Sequence, residues 1–317
     1  MKFKKPKFWD LNEPNLIAYL LLPFTFIIKV NNFFLNNSKK RKNNHIKSIC
    51  IGNIYLGGTG KTPSTIKIFN ITNKLGFNVV TAKKFYENQL DEQIILEEMT
   101  NIITGRSRKK IMDTAVKMQK DLIIFDDGLQ DKETDYDIKI VCFNVDNWIG
   151  NGQLLPAGPL RENLDSIKKY DVVFIKGQNF NKANTISNAI CKINPTIKIF
   201  FTNYEISNKN TINLNKKYLL FCGTGNPSIV KNFLINEKIN IVSEIIFPDH
   251  YNYEISDIQN IQKKAQISNL EIITTKKDYV KIPEKFRDKI DCVEINLNIK
   301  KEDDLVSFLK KRLNEKY

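Results

Sequence analysis

The chain has 317 residues, of which 42% are hydrophobic and 26% charged. This composition excludes wholesale disorder, a collagen-like fibre and a polytopic membrane protein, and the length suits two domains or one large one. The 49 basic and 35 acidic residues give a net charge of +14, and residues 1–50 carry ten Lys or Arg against two acids, so the excess belongs to the front of the chain. Five cysteines without a CxxC pair read as reduced, buried thiols of a cytosolic protein, and with only His45 and His250 no zinc-ligand cluster is expected.

Lys2, Lys4, Lys5 and Lys7 precede an apolar run from Leu16 to Ile28, which Pro23 interrupts; Lys29, Lys39, Lys40, Arg41 and Lys42 follow it. Such a run is short of the roughly 20 residues that cross a bilayer. A secretory signal would end in small residues, whereas this run continues into Lys-Val-Asn-Asn-Phe-Phe. A buried core helix and a helix lying in the membrane interface remain. For the second, Trp9, Phe24, Phe26, Phe33 and Phe34 supply apolar anchors, and each basic group adds about 1 kcal/mol near an anionic leaflet. No base-stacking or base-reading motif accompanies the basic cluster, so nucleic acid is not an expected partner.

From Ile46 onward, short β-branched runs alternate with helical stretches, which predicts a mostly parallel sheet covered by helices. The expected strands are 48–51, 78–82, 122–125, 138–143, 171–175 and 197–201, then 218–222, 239–247, 271–274 and 292–295. Residues 203–216 are polar and weakly patterned, which suits a linker or a pair of connecting strands. The expected organisation is a basic, amphipathic segment over 1–45, an α/β core over 46–202, the linker, and a smaller α/β domain over 217–317.

After the first strand comes Gly52-Asn53-Ile54-Tyr55-Leu56-Gly57-Gly58-Thr59-Gly60-Lys61-Thr62-Pro63, followed by a helical pattern. A glycine-rich loop between strand and helix wraps backbone N–H groups around phosphate oxygens, and the helix N-terminus adds partial positive charge. Gly57, Gly58, Thr59 and Gly60 would form the cradle, Lys61 would reach the β/γ-phosphates, and Thr62 would hold Mg²⁺. Tyr55 occupies the position of the first consensus glycine, so the loop alone is imperfect. The run Leu122-Ile123-Ile124-Phe125-Asp126-Asp127 adds a second part, a buried strand ending in carboxylates that can hold the same ion.

The motifs together resemble the tetraacyldisaccharide 4'-kinase family, which phosphorylates a lipid A precursor. The resemblance runs through Pro6-Lys7-Phe8-Trp9, the glycine loop, Asp91-Glu92, Asp126-Asp127-Gly128-Leu129-Gln130, Gly158-Pro159-Leu160-Arg161-Glu162, Phe247-Pro248-Asp249-His250 and Thr274-Thr275-Lys276-Lys277-Asp278. The family's loop also lacks the first glycine. The resemblance implies a P-loop kinase core with a smaller domain closing the active-site cleft. It further implies ATP and Mg²⁺ as cofactors, tetraacyldisaccharide 1-phosphate as the lipid substrate, and peripheral attachment to the cytoplasmic face of the inner membrane. Mapped onto this chain, Asp91 would act as base or hydroxyl-orienting group and His250 would tune it across a cleft between the domains. Arg161 would meet a phosphate and Glu162 would orient it or the sugar, with a simple surface ion pair as the alternative. A P-loop kinase on another acceptor and a nucleotide-binding scaffold are the competing readings.

The chain also departs from the family. Thr81-Ala82-Lys83-Lys84-Phe85-Tyr86 stands where relatives carry Ser-Arg-Gly-Tyr-Gly, which leaves Lys83 or Lys84 as a partial substitute for a missing arginine. Asp131 replaces a histidine after the Asp-Asp-Gly motif.

Overall fold

The computed structural model describes residues 5–37, 41–42, 45–86, 90–131, 133–249 and 251–315. The chain opens with a 3₁₀ turn, Lys7–Asp10, and then helices α1 (Leu16–Leu21) and α2 (Thr25–Asn37), joined by a 3₁₀ turn at Leu22–Phe24 that contains Pro23. There follow β1 (Arg41–Lys42), β2 (Lys47–Gly52), α3 (Lys61–Lys74), β3 (Val79–Lys84), α4 (Leu90–Met99), β4 (Ile102–Gly105), α5 (Arg108–Lys117), β5 (Leu122–Asp126), β6 (Thr134–Asp135) and β7 (Ile138–Asn144). Next come β8 (Val172–Lys176), α6 (Phe180–Ile193), β9 (Lys198–Ile206), β10 (Lys217–Cys222), α7 (Pro227–Asn236), β11 (Asn240–Ile246), α8 (Ile255–Ile267), β12 (Glu271–Thr275) and α9 (Lys276–Tyr279). The last elements are β13 (Asp291–Val293), β14 (Ile295–Ile299) and α10 (Glu302–Asn314).

The larger unit comprises Lys5–Phe85, Met99–Asn203 and Leu297–Tyr317. Its sheet has eight strands in the order β14-β9-β8-β7-β2-β5-β3-β4, and the pairs from β9 to β4 are parallel. β2, β5 and β8 are buried along nearly their whole length, the mark of a sheet covered on both faces and the reason these segments read as continuous apolar runs. One face carries Cys50, Ile123, Phe125, Val141 and Val173 against Ile111, Met112 and Ala115 of α5 and Ile186 and Ile190 of α6. The chain reverses direction across the sheet at β2, so the crevice beyond the carboxyl ends of β2 and β5 is a topological switch point.

The smaller unit gathers Tyr86–Glu98 and Tyr204–Asn296 around a parallel four-stranded sheet, β11-β10-β12-β13. Along β10 the side chains alternate. Leu219 and Phe221 pack with Ile258, Ile261 and Ala265 of α8, while Tyr218 and Leu220 pack with Leu234 of α7, as the two-residue period of a strand requires.

The expected α/β class is observed, with three local differences. The apolar run over 292–295 splits at Glu294: β13 stays in the small sheet, while β14 joins β9 in the large one and α10 follows it. Strand β4, half-buried and only four residues long, has too little apolar pattern to be read in advance. Cys50, Cys142 and Cys222 are buried, but Cys292 is half-buried and Cys191 is exposed, all five being free thiols. Cys191 sits on α6 next to the buried Ile190, and an amphipathic helix turns its next residue toward water.

The N-terminal helices run further than the apolar run, because Lys29, Asn31 and Asn32 continue α2 past Ile28. The stretch Leu16–Phe34 has 19 residues and is apolar enough to cross a membrane by length and composition. One side of it is nevertheless seated on the protein. Ala18 and Thr25 are buried, Ile28 packs on Tyr55, Leu154 and Leu160, and Asn32 Nδ2 donates to the Arg161 carbonyl at 3.0 Å. Elsewhere on the helices Leu16, Leu20, Phe26, Ile27, Phe33 and Phe34 are 60–75% exposed.

Trp9 anchors the start of the chain: it is fully buried, its indole N–H donates to the Pro156 carbonyl at 3.0 Å, and its carbonyl accepts from Asn151 N at 3.0 Å. Replacing Trp9 by Ala is expected to cost about 3–5 kcal/mol, read as a lowered urea midpoint by circular dichroism.

Candidate active site

The loop after β2 is held open by its own side chains. Asn53 Nδ2 donates to the Gly57 carbonyl at 3.1 Å and to Thr59 Oγ1 at 2.9 Å, and Thr59 N donates to the Gly57 carbonyl at 2.8 Å. Gly57 and Gly60 have φ of 137° and 89°, conformations that a Cβ would strain. Gly60 is the N-cap of α3, so the loop delivers Lys61 and Thr62 onto the first helical turn, where backbone N–H groups lack intrahelical partners. Pro63 is tolerated there for the same reason. Tyr55 packs its ring against the loop, 3.4 Å from where a Cβ on Gly57 would stand. It is buried with Leu154 and Leu160, its hydroxyl donates to Asp10 Oδ1, and Lys5 Nζ donates to that hydroxyl at 2.5 Å.

Strand register brings the carboxylates to this loop. Ile51 of β2 lies opposite Asp126 of β5. Asp126, 2% exposed, accepts from Thr62 Oγ1 at 3.2 Å and from Thr65 Oγ1 at 3.3 Å. Its third partner is Lys83 of β3, whose Nζ donates at 2.8 Å. Asp127 turns into the left-handed region, φ 62°, held by its N–H on the Ile51 carbonyl at 2.8 Å and by Arg108 donating to its own carbonyl. Its carboxylate lies 3.5 Å from Lys61 Nζ and 3.0 Å from Arg161. Burial works to raise the Asp127 carboxyl, but Lys61, Arg161 and Lys83 outweigh it and hold the group well below the usual carboxylate range. Thr62, Asp126 and Asp127 offer hydroxyl and carboxylate oxygens, the hard donors that magnesium shares with phosphate. Asn53 Oδ1, buried in the same loop, has no hydrogen-bond partner among the described residues.

The turn before Arg161 brackets the same centre. Arg161 N donates to the Ile54 carbonyl at 2.7 Å, and its guanidinium also reaches Gln130 Oε1 at 3.3 Å. Arg161 therefore pairs with Asp127 and not with its neighbour Glu162. Glu162, 6% exposed, accepts from Gln130 Nε2 at 2.7 Å and Tyr170 OH at 3.0 Å and lies 3.7 Å from Lys169 Nζ, so it is a buried hub whose ion partner is Lys169.

Asp91 stands in the smaller unit. It lies in the first turn of α4, buried, with Lys277 Nζ at 3.7 Å and Lys281 Nζ at 3.9 Å. Lys277 also pairs with Asp249 at 2.9 Å. Burial works against the Lys277 charge, but Asp249, Asp91 and Glu92 outweigh it and keep its ammonium above the ordinary lysine range. Lys281 pairs with Asp278 at 2.9 Å, and Asp278 accepts from Gly223 N, Tyr253 OH and Thr275 Oγ1. The Thr275 to Asp278 phrase thus builds a buried charge network around Asp91. Because residues 86–98 group with 204–296, Asp91 belongs to the part of the chain that carries Asp249, and not to the core to which its position in sequence assigned it. His250 lies outside the described residues.

Sequence reasoning left Arg108, Tyr170 and Lys281 unassigned. Arg108 sits in a basic stretch that reads as a solvated helix face, and only the structure shows it capping the Asp127 turn and facing Asp131 at 3.9 Å.

A carboxyl held below its ordinary range stabilises the fold above the unfolded-state value of about 3.9, and loses that contribution as pH falls through the folded-state value. Asp127→Asn should therefore be less stable than wild type by a constant margin above about pH 4, a margin that shrinks at lower pH. Urea midpoints measured across that range check the sign.

The sequence profile described as LpxK, Tetraacyldisaccharide-1-P 4'-kinase, matches residues 16–314. The Tetraacyldisaccharide 4'-kinase of Pelagibacter ubique (strain HTCC1062) is 42% identical, covering 100% of both chains. That of Rickettsia bellii (strain OSU 85-389) is 33% identical over 94% of this chain and 95% of its own. The solved structure of "apo" form LpxK from Aquifex aeolicus in complex with ATP superposes with a TM-score of 0.71 at 19% identity, covering 94% of this chain and 100% of that one; at that identity it speaks for the fold. With the profile spanning nearly its whole length, the chain belongs to the tetraacyldisaccharide 4'-kinase family.

Proposed function

We propose that the chain carries out the reaction its family is named for, transfer of the γ-phosphoryl group of ATP to the 4'-hydroxyl of tetraacyldisaccharide 1-phosphate. The observation that carries this reading is the P-loop helix start meeting two carboxylates, with Thr62 Oγ1 3.2 Å from Asp126 and Lys61 3.5 Å from Asp127. In the transfer, the sugar oxygen forms a bond to the γ-phosphorus, the bond to the β–γ bridging oxygen breaks, and ADP leaves with that electron pair. Asp91 accepts the hydroxyl proton or orients the hydroxyl, and His250 tunes Asp91. The loop amides of residues 57–60 and Lys61 bind the phosphate oxygens, the Thr59 amide leaving the Gly57 carbonyl and Lys61 leaving Asp127 as they do so. Arg161, fixed by Asp127 and Gln130, meets a phosphate of either substrate, and Glu162 keeps the Arg161 turn in place. Thr62, Asp126 and Asp127 would hold magnesium, which when bound would neutralise phosphate charge. Positioning dominates such a loose transition state.

A four-chain lipid stays in its bilayer, because each CH₂ drawn out costs about 0.8 kcal/mol. The enzyme must therefore work at the surface, and ATP confines it to the cytoplasmic face of the inner membrane. The side chains Leu16, Leu20, Phe26, Ile27, Phe33 and Phe34 supply the apolar contact, and the seated side of the same helices supports a peripheral and not a spanning attachment.

With radiolabelled ATP and the disaccharide acceptor, Lys61→Ala should lower transfer by about 10²–10³-fold, and Asp91→Ala by about 10²–10⁴-fold while ATP binding persists. ATP binding by the intact chain without any labelled lipid would mean a scaffold. Replacing Phe26, Ile27 and Phe33 together by Asp should abolish sedimentation with anionic vesicles while circular dichroism stays unchanged, since these side chains make little contact with the fold.

A further inference from the structure

Lys83 occupies a place that its residue type makes costly. Its side chain is 3% exposed and lies against the fully buried Asp126 carboxylate, because β3 pairs Lys83 with Asp126 of β5 on one side and with Thr104 of β4 on the other. A lysine so deep in a sheet persists only with a counter-charge. Asp126 in turn has Lys83 as its paired cation among the described residues; its other partners, Thr62 and Thr65, are neutral hydroxyl donors. Lys61, the cation of the loop itself, is engaged with Asp127. The same Asp126 oxygen, Oδ2, accepts from both Lys83 and Thr62. The carboxylate suited to a divalent cation is thus already balanced by a fixed ammonium.

We propose that Lys83 is a positioning residue of the nucleotide site: a standing counter-cation that holds Asp126 against Thr62 and Thr65 in the absence of metal, and competes with a divalent cation for that carboxylate. The inference rests on the reading of Thr62 and Asp126 as metal-holding residues. Removing the ammonium leaves a buried carboxylate that recruits a divalent ion by itself, whereas keeping the charge on a different side chain leaves the competition in place.

The test uses the full chain without nucleotide and Mn²⁺ as a spin-visible probe, with free ion read by electron paramagnetic resonance and melting temperature compared in Mn²⁺ and in chelator. Lys83→Met should bind Mn²⁺ at least about tenfold more tightly than wild type and gain more thermal stability from it, while Lys83→Arg stays near wild type. Mn²⁺ affinity in Lys83→Met no higher than in wild type overturns the proposal, as does a gain that survives the added change Asp126→Asn. Should Lys83→Met fail to fold in chelator, the same double variant decides. Recovery of folding when both charges are gone supports charge balance, and continued failure shows that the lysine acts through packing, which also overturns the proposal. Thr62→Ala separates this inference from the reading beneath it. Binding of Mn·ADP that is indifferent to Thr62→Ala sinks the metal assignment, whereas normal loss there with no gain in Lys83→Met sinks the role of Lys83 alone.

Discussion

The larger unit depends on one adjacency, the carboxyl end of β2 beside that of β5. Parallel pairing of two buried strands places a glycine-rich loop next to two aspartates, and the contacts of Lys61, Thr62 and Thr65 with those carboxylates follow from it. Asp126 gathers two hydroxyls and an ammonium, while Asp127 gathers Lys61 and Arg161. Like charges alone could not be packed so closely in a low-dielectric interior, and cations alone could not either. The alternation of sign lets two carboxylates, two ammonium groups and a guanidinium share one buried centre.

The same centre is tied to the N-terminal helices and their exposed apolar side. Asn32 of α2 holds the Arg161 carbonyl, Arg161 holds Asp127, and Asp127 lies beside Lys61. A second tie runs through Tyr55, which packs against Ile28 and bonds Asp10 and Lys5. The tyrosine that spoils the consensus loop therefore has a use: its ring joins the nucleotide loop to the N-terminal helix, a task no glycine could perform. The apolar N-terminal helices and the glycine-rich loop are thereby joined by one continuous set of contacts.

Much of this was legible in the sequence because strong patterns report local physics. Buried parallel strands read as apolar runs, and the glycine-rich segment read as a loop between strand and helix because its glycines break both patterns. The smaller unit's β10 was equally plain. What escaped depended on pairing across long distances in sequence. Lys83 looked like one of two interchangeable lysines until strand register buried it on Asp126, while Lys84 stayed near the surface. Arg108 was hidden in a basic stretch, and the return of β14 to the large sheet turned on a single break at Glu294. The burial of Asp91 between Lys277 and Lys281 likewise could not be read from an acidic helix start, which is more often solvated.

The chain transfers a phosphoryl group to the sugar 4'-hydroxyl of a lipid A precursor, the reaction its family is named for. The most direct measurement is phosphorus NMR of the lipid recovered after the intact chain has acted on tetraacyldisaccharide 1-phosphate in anionic vesicles with magnesium and ATP. A second phosphomonoester, correlated to the proton at the sugar's 4' carbon, should appear in step with ADP. Release of inorganic phosphate with the lipid unchanged, or a new phosphate at any other position, would contradict it.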